Sequence, residues 1–328
     1  MAGRDPDRSV SLREASSPPG PAAADAAAHA QPSAQRVAVV LAVGIAAVST
    51  AGTLVRLAPE VHPLALAFWR VLLVAVILAP GFRPVSRRDA LLTALGGLFL
   101  ALHFWSWFLS LRMTTVMRST LLVCLTPVWA AIFEWAAMGR APKPRFWLGI
   151  AVALAGVGTM VAASAGTPGS APAAHPGVLA GDGLAVLGGV LGAAYFTVGR
   201  SVRARVRITA YGPLSCAATA AWLALLATAT GAPLTGFPTA NWLPIAALAL
   251  GPQLLGHVGF NYAVGRLPAA IVAAVILLEP VGATGVAAVA LHEMPHRSDI
   301  LGGLLTLAGV AVAALPAPGG LRRAIAPE

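Results

Sequence analysis

The residues able to do chemistry in this chain are few, and most lie in apolar surroundings. Glu279 falls mid-way along a hydrophobic stretch and is followed at once by Pro280. A proline inside a helix removes a backbone donor and frees a carbonyl one turn earlier. A carboxylate beside such a kink could bind a proton or a substrate amine; it could also pair with an arginine or cap the kink. Arg70 and Arg118 are the basic residues that fall within hydrophobic stretches. An ionisable group in hydrocarbon costs about 3 kcal/mol or more unless it is paired or wetted, so each is a site candidate. Arg118 shares a helical face with Thr115, Ser119, Leu122 and Thr126. It lies about one turn from the end of its stretch and could snorkel outward or meet a substrate carboxylate. Arg70 is deeper, where snorkelling is harder, and there a carboxylate partner or a wet cavity is expected.

Two polar stripes accompany these charges. His103, Ser106 and Ser110 fall at i, i+3 and i+7, with Trp107 beside them, and Gln253, His257 and Asn261 at i, i+4 and i+8. Each spacing puts its residues on one helical face, where they either line a cavity or hydrogen-bond across helices. The matching histidines favour a cavity wall built from both stretches. Trp69, Trp105, Trp107, Trp129 and Tyr195 are aromatic candidates for substrate stacking, with interfacial anchoring or packing as the alternative for each. An amino-acid-like zwitterion needs a cationic and an anionic partner, and Arg70 or Arg118 with Glu279 could supply them.

One run points to a different class of function. His292-Glu293-Met294-Pro295-His296 matches H-E-x-x-H, the zinc metalloprotease signature, and makes an intramembrane protease the enzyme alternative. That signature needs an unbroken helix so that both histidines share a metal, and Pro295 interrupts it. No motif marks a third ligand. Gly251 to Gly256 has phosphate-loop spacing, but His257 replaces the lysine that would follow. The expectation is a non-enzyme with no cofactor and no resident metal.

The elements that must hold these residues follow from composition. Of 328 residues, 58% are hydrophobic and 10% charged. A soluble domain carries about 25% charged residues, so there is too little polar surface here to cover a water-soluble globule. The net charge of +10 is spread singly or in short groups between apolar stretches. That distribution fits the lipid bilayer as partner, not nucleic acid. Cys124 and Cys216 both fall in apolar stretches and are expected to be buried, reduced thiols.

Continuous apolar runs predict transmembrane helices over a barrel. Ten spans are predicted, at 37–58, 62–81, 89–111, 114–137, 145–164, 178–199, 208–230, 240–264, 268–291 and 299–317. Residues 1–36 and 318–328 read as tails, the first disordered from its Ala, Pro, Ser and Gly content. With the N-terminus inside, 17 of the 22 Lys and Arg residues fall on the inner side, and both termini come out cytoplasmic.

The chain also repeats itself. His103 and Arg112 recur as His257 and Arg266, and Pro127 recurs as Pro280, 153 to 154 residues on. Leu148-Gly149 recurs as Leu301-Gly302, and Leu154-Ala155-Gly156-Val157 as Leu307-Ala308-Gly309-Val310. The halves are 37–164 and 178–317. Five spans is an odd number, so the second half must enter from the opposite side, giving an inverted repeat with its site near midplane. The small residues Gly149, Ala153, Gly156 and Gly302, Thr306, Gly309 mark packing faces on spans five and ten, which could pack together or mediate a homodimer. Gly188 and Gly192 form a GxxxG in span six.

These features resemble the EamA type of the drug/metabolite transporters over about residues 37 to 317. The resemblance rests on His103 to Arg112 with the Pro127 helix, on Gln253 to His257 and Asn261, on Leu278-Glu279-Pro280, and on the Leu-Gly…Ala-Gly-Val helix closing each half. The family often has Leu-Gly-Glu after spans four and nine. Here those positions read Met138-Gly139-Arg140 and Leu291-His292-Glu293, so that acid receives no role. The resemblance implies a secondary transporter of the cell membrane that exports a small-molecule substrate such as an amino acid, metabolite or drug.

Overall fold

The computed structural model describes residues 34–138, 143–165, 176–264 and 275–314. Among these the chain is helical, with no strand. Contacts divide it into Met1–Ala38, whose described residues open the first helix, and Val39–Glu328, which holds the bundle treated below. The helices are α1 (Ala34–Val48), α2 (Ala51–Arg56), α3 (Pro63–Leu78), α4 (Arg87–Met113), α5 (Val116–Val123), α6 (Thr126–Met138), α7 (Pro144–Ala165), α8 (Pro176–Arg203), α9 (Ile208–Thr230), α10 (Trp242–Leu248), α11 (Gly259–Val264), α12 (Glu279–Ala290) and α13 (Arg297–Ala314). A π-helical stretch, Ala249–Val258, joins α10 to α11.

Seven helical stretches among the described residues are long and apolar enough to cross a membrane, and Pro144–Met160 is a shorter apolar one. The seven coincide with the first four and the sixth to eighth expected spans. The ninth begins, and the tenth ends, in residues outside the described set, as does the repeat residue Arg266.

Polar side chains set the helix starts. His62 accepts from Leu64 N at 3.2 Å ahead of α3, with Pro63 in the first turn where no donor is missed. Ser86 accepts from Asp89 N at 3.1 Å to start α4. Thr115 accepts from Arg118 N at 3.2 Å to start α5. Gly231, at φ 69°, closes α9 in the left-handed conformation that glycine adopts without a Cβ clash.

Two spans break at equivalent places. The span holding Pro127 is interrupted at Cys124-Leu125, and the one holding Pro280 at Leu277-Leu278, both just before the proline. Pro127 cannot donate to Val123 O, and in hydrocarbon that carbonyl must find another partner. Thr126 Oγ1 supplies it at 2.7 Å. Glu279 occupies the matching position in the second half and makes no such bond among the described residues.

The halves pack through small residues. A Cβ on Gly192 would lie 3.1 Å from His103 Nδ1, and one on Gly188 3.3 Å from Ser106 Oγ, so the GxxxG of α8 lets α4 approach closely. Helices α7 and α13 touch backbone to backbone: a Cβ on Gly149 would be 2.5 Å from Gly309 O, and one on Gly156 2.5 Å from Gly302 O. Those small-residue faces thus pack against one another within the chain. Equivalent helices also pair as α3 with α9 and α5 with α12. Contacts of α4 with α9, and of α5 and α6 with α8, have exchanged counterparts in the π-helical stretch with α3 and in α12 with α2.

Charges tie the halves at both ends of α4. At its start, Asp89 accepts from Arg205 at 2.7 Å. Near its end, Arg118 pairs with Asp182 of α8 and, at 3.4 Å, with Asp299 of α13, and donates to Met160 O of α7 at 3.0 Å. Thr114 Oγ1 donates to the same Asp182 at 3.0 Å. Arg118 and Asp182 are 3% and 6% exposed, so the snorkelling considered for Arg118 does not occur: two carboxylates hold it inside the bundle. Arg56 donates to Leu111 O and Thr114 O, and Arg112 to Ala58 O, Pro59 O and Val61 O. Both guanidiniums therefore satisfy carbonyls at helix ends.

Two stability outcomes follow. Arg118→Met leaves Asp182 buried without its cation and should lower stability by about 3–5 kcal/mol, while Arg118→Met with Asp182→Leu should recover part of that loss. Gly156→Leu should force α7 and α13 apart and cost at least ~1–3 kcal/mol from overpacking. Thermal melting of purified protein in detergent checks both.

Candidate functional site

Two polar groups of the sequence converge on Arg70. It is fully buried on α3, an apolar helix that leaves no route for the side chain to reach its end. Its Nε donates to Gln253 Oε1 at 2.9 Å. Its guanidinium lies over the Phe104 ring, 4.3 Å from the centroid, with Phe108 at 5.7 Å. Stacking on an aromatic face and one hydrogen bond fix the guanidinium plane. Nη1 and Nη2 are buried and have no hydrogen-bond partner among the described residues.

The π-helical stretch explains how Gln253 and His257 come to face this point. Pro252 lies inside it and cannot donate to the helical ladder, which widens here to i→i+5 bonds. Gln253 meets Arg70, and its Nε2 faces Cys216 Sγ at 3.8 Å. His257 packs edge-on to Phe104 at 5.3 Å and to His103 at 6.5 Å between ring centroids. Asn261, one further turn along, donates to Tyr195 Oη at 3.1 Å. The three residues of the stripe thus contact α3, α4 and α8 respectively.

On α4, His103 lies 6.0 Å from the Trp107 ring in a stacked arrangement. Its Nδ1 is 2.7 Å from Gly188 O. A carbonyl only accepts, so Nδ1 carries the proton and Nε2 is left as an acceptor. Trp107 Nε1 and His257 Nδ1 are buried with no hydrogen-bond partner among the described residues. Each unmet buried polar atom costs about 1–3 kcal/mol, and this group gathers several around one cation.

Glu279 opens α12 on the far side of the break before Pro280. Among the described residues its hydrogen-bond partner is the buried Cys124 Sγ, at 3.9 Å, at the break in the first half. Glu279 and Arg70 attract one another electrostatically. No ion pair closes between them within 4.0 Å. The acid on α12 of the second half and the base on α3 of the first are therefore not joined by an ion pair.

The candidate residues thus separate into groups. Arg70, Gln253, His103, Trp107 and His257 form one linked cluster, with Glu279 coupled to it by charge. Tyr195 and Asn261 make their own pair. Arg118 is committed to Asp182 and Asp299, and Trp69 donates its Nε1 to Leu234 O at 2.7 Å. Phe104 carries no polar signal in the sequence, and only its place after His103 could have drawn notice. Cys124, read as an inert thiol, contacts the key acid. Asp182 sits inside a predicted span and could have been found by the same criterion that selected Arg118.

The protease-like run has another geometry. Leu291 to His296 is irregular, and His292 sits at φ 55°. Its histidines share no helical face. Glu293 accepts from Val116 N at 2.7 Å and pairs with Arg56 at 3.6 Å, so it caps α5 from the other half. Among the described residues no cluster of three or more His, Cys, Asp or Glu could hold a metal. A separate groove of about 500 Å³ runs between α1, α9 and the π-helical stretch, lined by Val40, Val43, Leu254, Leu255, Val258 and Tyr262 among others. It contains none of the candidate residues.

Comparison with known proteins agrees with this architecture. No curated protein sequence matches the chain. A solved crystal structure of a protein superposes with a TM-score of 0.61 at 22% identity, over 86% of this chain and 98% of the other, which establishes a shared fold. The sequence profile of the EamA-like transporter family matches twice, at residues 36–162 and 179–315, one copy in each half. The chain is an integral, multi-pass membrane protein and belongs to the EamA-like transporter family.

Proposed function

We propose that this protein is a secondary transporter of ten spans in two inverted repeats, moving one small organic solute by alternating access around a midplane cavity. The observation that carries the reading is the open Arg70–Glu279 pair. A buried cation and a half-buried acid, one from each half, attract across the bundle without joining. A structural ion pair would close, as Arg118 and Asp182 do. A pair held apart suits a solute that bridges it, and rocking of the halves would then change the access to that solute.

Three further features support the reading. The helix contacts recur when the halves are exchanged. Both broken helices place their breaks beside the same centre, as broken helices do at transporter sites. Ion pairs between the halves sit at both ends of α4, where two alternating closures are needed. Outward transport across the cell membrane with cytoplasmic termini rests on the family resemblance and the charge bias. The acid at Glu279 gives the carrier a group able to take up a proton, so a proton gradient is the proposed energy source.

Proteoliposomes loaded with a mixed pool of amino acids and metabolites, read by mass spectrometry with and without a proton gradient, test this reading. One solute should move in response to the gradient, and Glu279→Gln should remove that response with folding intact. Gradient-driven transport unchanged in Glu279→Gln would overturn the role of the acid, and no movement of any solute would count against the carrier itself. Single cysteines at His103 and His257 should react with small polar reagents and be protected by the transported solute. Two inert positions would reject a cavity wall shared by both halves.

A further inference from the structure

The groups left unsatisfied around Arg70 are mostly of one kind. Nη1 and Nη2 of Arg70 and Nε1 of Trp107 are N–H donors, and all are buried without acceptors. His257 Nδ1 adds a fourth unmet atom, donor or acceptor by tautomer. Phe104 joins these residues, since the guanidinium lies 4.3 Å from its centroid and His257 5.3 Å. His103 then links His257 to Trp107. The carboxylate that acts on this centre, Glu279, does not reach Arg70 within 4.0 Å. Among the described residues these donors meet no oxygen acceptor.

We propose that Arg70, Trp107 and His257 form an oxyanion subsite that takes a carboxylate group of the transported solute. The inference rests on the transporter reading above and names the chemistry of its substrate. Nε is already used by Gln253 and one face by Phe104, so the guanidinium has its Nη edge left to offer. Two parallel N–H donors on that edge match the two oxygens of a carboxylate, which a lysine ammonium does not reproduce. Gln253 is the positioning residue: it fixes the plane in which the edge is presented. Trp107 and His257 meet remaining oxygen lone pairs. A carboxylate here also neutralises a cation that the bundle otherwise holds without an ion pair.

Binding to the purified full-length protein separates this proposal from the transport reading. The probes are phenylalanine, alanine and benzoate, each against its carboxamide, with inorganic phosphate as a second oxyanion, followed by thermal shift and calorimetry. At least one carboxylate should bind about tenfold or more tighter than its amide, as expected for losing a charge-assisted pair. Arg70→Lys should erase that preference while the protein stays monodisperse and melts cooperatively. Trp107→Phe, which keeps the ring and removes the donor, should weaken the carboxylate several-fold and leave its amide unchanged. Carboxylates that bind no better than their amides, or phosphate that outcompetes every carboxylate, would overturn the proposal. Carboxylate binding without any transport would leave the subsite standing and count against the carrier; transport indifferent to carboxylates would do the reverse.

Discussion

A guanidinium held in hydrocarbon without a carboxylate beside it is the constraint around which this bundle is organised. Arg70 has no route to the membrane surface, so the protein must solvate it from within. One hydrogen bond from Gln253 and one aromatic face from Phe104 do part of this. Gln253 reaches Arg70 because Pro252 opens the helix into π geometry. His103 and Trp107, on either side of Phe104 in sequence, sit against the GxxxG of α8. The remaining charge is balanced at a distance by Glu279, which the Pro280 break leaves free of any backbone duty.

The contrast with Arg118 shows what a finished ion pair looks like in the same molecule. Arg118 is as deeply buried, yet it meets two carboxylates and a carbonyl drawn from three other helices. Removing water from both members of a pair is tolerable when geometry and additional hydrogen bonds are complete. Around Arg118 they are, with Thr114 also donating to Asp182. Around Arg70 they are not. The two arginines look alike in sequence, each a lone base in an apolar run, and are separated by which acids the fold brings to them.

Much of this was legible beforehand, for physical reasons. Apolar runs of span length declare helices, because hydrocarbon leaves the backbone no other way to satisfy itself. The prolines at 127 and 280 were read as kinks, and the helices are interrupted just before each. The small-residue faces of α7, α8 and α13 announced close packing. Partners remote in sequence were not legible. Nothing local to Arg118 predicts Asp182 or Asp299, and nothing local to Glu293 predicts Val116 N. The π-helical stretch was read as ordinary helix, since periodicity counts residues and cannot see a widened turn. The HExxH match failed for a related reason: a spacing carries meaning only on the helix it presumes.

Thr126 and Glu279 mark the point at which the two halves part company. The two family repeats place His103 and His257 at matching positions, and their rings meet. Before the two prolines that match is lost. Thr126 turns its hydroxyl back onto Val123 O and closes its own helix, while Glu279 extends a charge toward the opposite half. The repeat has thus been kept as architecture and given up as chemistry: one break ends in a closed hydroxyl and the other in an acid.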